Sequence, residues 1–162
     1  MWWTVDMTLN VRRALLGSCF LALSLGGLTS CGGSADAPAA AVRTELGNAQ
    51  PFNAPGQDLY LEEVVIPPGL SLTKHIHEGT QLANVRSGTL TYTIESGDTV
   101  INRADGTTES VQGPAVVQLG PGDWIVEDED LVHFGANQGG EPVTVILAVL
   151  VREGAPKFTP VP

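Results

Sequence analysis

The chain has 162 residues, a formal charge of −10, two cysteines and three histidines. That length holds one compact domain plus something short at an end. The acidic balance excludes a nucleic-acid binder, which needs clustered Lys and Arg against phosphate. Glycine and proline are frequent and aromatics few, which points to short strands and turns and away from a helical bundle.

The first element in chain order is an export signal over residues 1–30. Arg12 and Arg13 precede an apolar run from Ala14 to Leu28, a basic flank and short apolar segment of the kind that is removed. The run is short and broken by glycine, whereas a permanent membrane helix needs ~20 apolar residues. Met7 is a more natural start for this signal than Met1. Leu28-Thr29-Ser30-Cys31 resembles the lipobox of bacterial lipoproteins, whose cysteine becomes the lipidated first residue of the mature chain. A plain secretory peptide that happens to contain a cysteine is the alternative. Cys19 would leave with the signal, so the exported domain has no disulfide. The expected location is the cell envelope, lipid-anchored to the outer surface of the membrane through Cys31, or otherwise secreted.

Residues 31–57 are Ala, Gly, Pro and polar residues with no sustained period, and read as a flexible linker. From Asp58 the chain changes. "LYLEEVVI", "TLTYTIES", "DTVINR", "AVVQL", "WIVE" and "VTVILAVLV" are short, rich in β-branched residues and bounded by Gly, Pro, Asp or Asn. Leu90, Tyr92 and Ile94 alternate with Thr89, Thr91 and Thr93, the pattern of a half-buried strand. Asp105-Gly106 marks a hairpin turn. Val143 to Val151 is apolar at nearly every position, as expected of a strand buried on both faces or paired across a dimer. The domain over 58–154 is therefore all-β, a sandwich or small barrel, followed by a tail over 155–162.

All three histidines fall in this domain. His75 and His77 flank Ile76 in "KHIHEGTQ", so on an extended strand both point to one face. Two such imidazoles share a metal, share a proton, or sit in solvent. The string from Gly69 through His75, His77 and Gln81 to Gly88 is G-x5-H-x-H-x3-Q-x6-G, and His133 is followed after three residues by Asn137. This resembles the cupin superfamily, whose first motif is G-x5-H-x-H-x3,4-E-x6-G and whose second is G-x5-P-x-G-x2-H-x3-N. The likeness runs over roughly residues 58–152, and the chain departs from it at three places. Gln81 stands at the acidic position, Asp128 at the proline and Asp130 at the second glycine.

The resemblance implies a double-stranded β-helix, the cupin jelly-roll barrel, around one divalent transition metal (Fe, Mn, Ni, Zn or Cu). His75, His77 and His133 would be its imidazole ligands, with Gln81 at the glutamate position. An amide oxygen is a neutral donor, so such a site would keep its full positive charge. That favours Lewis-acid chemistry or anion binding over an oxidase cycle. A pair of strand histidines held by hydrogen bonds is the competing reading for His75 and His77. Tyr92, Phe134 and Trp124, and also Tyr60, are candidates for walls of a pocket, although aromatics in a small β domain are more often plain core. The acidic run Glu127-Asp128-Glu129-Asp130 reads as a solvated turn between strands, with a second cation site as the alternative. Gly88, Gly120 and Gly122 read as turn residues and Asn137 as a turn holder. Glu78 lies among the ligands with no direction assigned, and no second acid or base is evident, so no catalytic residue is named.

Two functions stand side by side. One is a mononuclear metalloenzyme of dioxygenase, isomerase or lyase type acting on a small oxygenated, anionic substrate. The other is a non-catalytic small-ligand or metal-binding module of the cell envelope. A homodimer fits the apolar strand at Val143 to Val151.

Overall fold

The computed structural model describes residues 39–162. The signal over 1–30 and Cys31 lie outside the described residues. Every regular element among the described residues is a strand, as the alternating sequence requires. In order they are β1 (Val42–Ala49), β2 (Gln57–Ile66), β3 (His75–Ile76), β4 (Gly79–Ser87), β5 (Leu90–Ser96) and β6 (Asp98–Asn102). There follow β7 (Thr108–Gln112), β8 (Ala115–Leu119), β9 (Trp124–Glu127), β10 (Val132–Ala136), β11 (Val143–Arg152) and β12 (Thr159–Pro160).

These strands form two antiparallel sheets in the jelly-roll arrangement. The seven-stranded sheet has the order β1-β2-β11-β4-β9-β6-β7, and the five-stranded one β12-β3-β10-β5-β8. Consecutive strands repeatedly cross between sheets. That crossing lets residues near each other in sequence, such as His77 and Gln81, face each other from opposite sides of the core.

The core lies between the sheets. On β11 Val143, Val145, Leu147, Val149 and Val151 are buried, while Ile146, Ala148 and Leu150 on the other face are half-buried. The strand runs between β2 and β4, so its apolar character reflects a central position covered on one face, and not burial on both. Each fully buried Val or Leu contributes about 1.5–3 kcal/mol, which makes β11 the main stabilising strand. Gly106 (φ 87°) turns the β6–β7 hairpin, where the Asp105 Oδ1 accepts from the Thr107 N–H at 2.9 Å.

Two boundaries differ from the sequence expectation. The ordered sheet begins at Val42, inside the expected linker, because β1 pairs with β2 from Val42↔Val65 to Ala49↔Leu59. All eight β1 residues are exposed, so this edge strand carries no hydrophobic alternation by which to read it. Likewise the expected tail contains β12, whose Thr159 and Pro160 pair with Ile76 and His75.

Candidate metal site

Strand register assembles the site. His75 on β3 is the register partner of His133 on β10, so the two rings share the inward face of the five-stranded sheet, with centroids 4.5 Å apart. His77 follows two residues later, where the chain leaves that sheet for β4. The crossing is tight: a Cβ on Gly79 would meet the Leu150 carbonyl oxygen at 2.2 Å, so only glycine lets β4 start there. Gln81 then points inward from β4, register-paired with Glu127 on β9. His77, Gln81, Glu127 and His133 are all buried, and His75 is half-buried.

Hydrogen bonds fix each imidazole. Nδ1 of His75, His77 and His133 lies 2.7, 2.8 and 3.0 Å from the carbonyl oxygens of Thr73, Lys157 and Leu131. A carbonyl only accepts, so Nδ1 carries a proton on each ring, and in its neutral form such a ring presents a lone pair at Nε2. One ligand atom from each of these three residues lies within 4.8 Å of the others. Locking the outer nitrogen on a carbonyl while the inner one converges is the usual support of a metal-binding histidine.

Glu127 alters the charge of this site. Its Oε2 stands 3.2 Å from His77 Nε2 and its Oε1 3.2 Å from His133 Nε2, and Gln81 Nε2 donates to Oε2 at 2.5 Å. Burial alone would raise the Glu127 pKa, but His133 and His77 outweigh it and hold the carboxyl well below its ordinary value. Burial would lower His133, and the Glu127 charge outweighs that too, leaving its pKa raised. His75, further from the carboxylate, is pushed down to about 4, chiefly by burial.

The reading of the acidic segment is thereby corrected. Glu127 is not part of a solvated turn; it is 3 % exposed, because Ile125 and Glu127 share the inward face of β9 while Asp128, Glu129 and Asp130 continue into the exposed turn. The site expected to keep its full positive charge through Gln81 thus has a carboxylate beside its imidazoles. The available signal was parity: in "DWIVE" the glutamate falls on the same face as a core isoleucine.

Among the pocket candidates, only Tyr92 lines the inner chamber. It is 2 % exposed, lies 5.2 Å from the His133 ring between centroids, and leaves its hydroxyl without a hydrogen-bond partner. Burial, then the Glu127 charge, push its pKa well above the ordinary value, so it is a neutral donor. Phe134 and Trp124 face away, because inward His133 and Ile125 force their neighbours outward; Phe134 lines a separate surface hollow with Thr91 and Val116. Tyr60 sits under Lys157, whose Nζ is 3.6 Å from the ring centre.

Asn137 ties the turn after β10, donating to the carbonyls of Ile66 and Glu141 and accepting from the Gly139 N–H. Glu78 points outward to Arg152 at 2.9 Å. Gly88 and Gly122 have positive φ, 74° and 91°, as turn glycines do, whereas Gly120 does not.

The chamber beside the imidazoles is small, about 60 Å³, with apolar walls that include Ile66, Leu90 and Leu147. It adjoins an outer vestibule of about 350 Å³ lined by Arg43, Leu72, His75 and Phe158. Buried Glu62 anchors that rim, paired with both Arg43 and Lys157. Neither the rim residues nor the Lys157 carbonyl carries a sequence signal, since each acts through a pairing distant along the chain.

The donor set fits a divalent transition metal. Three imidazoles suit Zn, Fe, Ni, Mn or Cu, and Gln81 Oε1 is a buried polar atom that lacks a partner.

No family model matches the chain, and no curated protein sequence matches it. Solved structures do. A cupin 2 domain-containing protein from Halorhodospira halophila aligns with TM-score 0.51 and 17% identity over 75% of this chain and 70% of its own. A cupin superfamily protein from Desulfitobacterium hafniense aligns with TM-score 0.48 and 14% identity, over 71% and 81%. An oxalate oxidase in complex with the substrate analogue glycolate aligns with TM-score 0.49 and 19% identity, over 78% and 57%. At such identities the likeness is one of fold, the cupin jelly roll.

Proposed function

We propose that the chain holds one divalent transition metal on His75, His77 and His133. Through it the chain acts on a small, oxygenated, anionic molecule, as a mononuclear enzyme of dioxygenase, isomerase or lyase type. The observation that carries this reading is the convergence of three imidazole Nε2 atoms, each ring fixed by a backbone carbonyl behind it. A metal bound there would supply Lewis-acid polarisation of a ligand oxygen.

The surrounding residues support the substrate class. Much of the chamber wall is apolar, and its volume of about 60 Å³ admits only a few heavy atoms beside the imidazoles. The Tyr92 hydroxyl is buried beside Glu127 without meeting hydrogen-bond geometry, so its proton can turn to a ligand oxygen, and Gln81 Oε1 is free to accept a ligand proton. Arg43 at the vestibule favours an anionic group at the entrance. Arg43 is already paired with Glu62, so its attraction is tempered.

Export and anchoring through Cys31 belong to the same proposal, supported by Arg12-Arg13, the apolar run and Leu28-Thr29-Ser30-Cys31. A homodimer is proposed through the outer face of the larger sheet. There Leu61 and Leu82, 45 % and 38 % exposed, flank Ala148 in register.

The test is elemental analysis of protein purified without added metal, followed by oxygen uptake and product analysis with diketones, catechols and flavonols. Bound metal with turnover supports the enzyme. Metal and ligand uptake with no product supports the binding module, and absence of both metal and uptake overturns the proposal.

A further inference from the structure

We infer that Glu127 is the anionic metal ligand of this site, the carboxylate having moved from position 81 to the facing position on the neighbouring strand. Gln81 now positions it. The inference rests on the metal reading above and adds a fourth protein donor to it.

Register is the first argument. Gln81 and Glu127 are directly paired between β4 and β9. Directly opposed residues of an antiparallel pair point to the same face with Cβ atoms about 4.5–5.5 Å apart. Exchanging amide and carboxylate between such positions therefore delivers the charge to nearly the same place.

Distance is the second. Glu127 Oε2 lies 3.2 Å from His77 Nε2 and its Oε1 3.2 Å from His133 Nε2, one oxygen to each ring, beside the cluster of three imidazoles. Donors sharing one metal at about 2.1 Å stand roughly 3.0–3.4 Å apart. A neutral imidazole lone pair and a carboxylate oxygen at that separation repel unless a cation lies between them. A metal ion fits that gap.

The third argument is the use of the amide. Gln81 donates Nε2 to Glu127 at 2.5 Å and lies 3.3 Å from His77 Nε2, while its Oε1 accepts from nothing. The amide group fixed on the carboxylate is spent on orienting it. That is the work of an outer partner that holds a ligand in place.

The experiment compares wild type, Glu127→Gln and the exchange variant Gln81→Glu/Glu127→Gln. Metal stoichiometry, chelator-competition affinity and the visible spectrum of the Co(II)-loaded protein are measured on each full chain. The single variant is expected to lose at least the ~100-fold that removal of an outer partner costs. The exchange variant is expected to return to within about tenfold of wild type, since the carboxylate is back beside the same imidazoles. Recovery in the exchange variant also shows that the single variant's loss is not misfolding. A single variant that keeps wild-type affinity and spectrum overturns the inference and leaves the three-histidine reading intact. An exchange variant that fails to recover overturns the exchange of positions. A wild type that takes up no metal overturns both.

Discussion

Gln81 donates its side-chain amide to Glu127 at 2.5 Å across the register pair that joins β4 to β9. This bond holds a buried carboxylate against two imidazoles, and it fixes what substitution at position 81 does. Gln81→Glu places a second carboxylate where the donor was. Two buried carboxylates at hydrogen-bond distance cannot both ionise, so the metal-free variant should lose about 2 kcal/mol of stability at pH 7. Added metal should restore most of it, because the cation balances both charges. Thermal melts with and without metal measure this; an unchanged metal-free melting temperature would mean that the two side chains do not face each other.

Metal binding should release a proton. Glu127 raises the pKa of His133 against burial, so a proton on this pair competes with a metal for the imidazole nitrogen. For the metal-free fold the sign follows. The contribution of His133 is fully present below its unfolded pKa and is lost as pH rises through the raised folded value. Metal affinity runs the other way, falling by up to about tenfold per pH unit below that value for each proton displaced. Calorimetric titration in two buffers of different ionisation enthalpy reads the count. Proton release per metal should grow as the pH is lowered, and release that is absent at every pH would contradict the competition.

Asp123 should be a stability residue remote from the chemistry. It accepts from the Ala104 and Gly120 N–H groups at 2.9 and 3.0 Å and from Arg103 at 2.9 Å. Burial acts to raise its pKa, but these donors outweigh it and the net shift is downward. Its stabilisation is therefore present above the ordinary aspartate value and lost as pH falls through the lowered one. Asp123→Ala should cost about 2–3 kcal/mol at pH 7 and less in acid, with metal affinity unchanged. Urea melts at pH 7 and pH 3 check it, and a loss independent of pH would refute the charge argument.

Labelled palmitate should enter the protein in cells, and Cys31→Ser should abolish the labelling. A mature chain that begins elsewhere and carries no lipid would overturn the anchor.

Much of the fold was legible because it is written in local alternation: Leu90, Tyr92 and Ile94 are all buried and Asp105-Gly106 turns a hairpin. The edge strand Val42–Ala49 was not legible, since its stability comes from hydrogen bonds to β2 and none of its side chains is buried. In the site, the spacing of His75, His77 and His133 brought the three imidazoles together on paper as in space. Glu127 was hidden by its acidic neighbours, because its burial depends on pairing with Gln81, 46 residues away. Parity on β10 and β9 alone would have sent Phe134 and Trp124 outward. The rim of Arg43, Glu62 and Lys157 depends on three segments meeting, which no local pattern encodes.

The central claim is that three fixed imidazoles hold one divalent metal, and a metal titration of the melting temperature tests it most directly. A cation that binds only the folded state at 100 times its Kd stabilises by about 2.7 kcal/mol, roughly a 10 °C rise for a domain of this size. Wild type stripped of metal should gain that increment with one equivalent of Zn, Mn or Ni bound, and His133→Ala should lose most of it. A wild-type melting temperature and metal content that respond to neither added metal nor chelator would contradict the account.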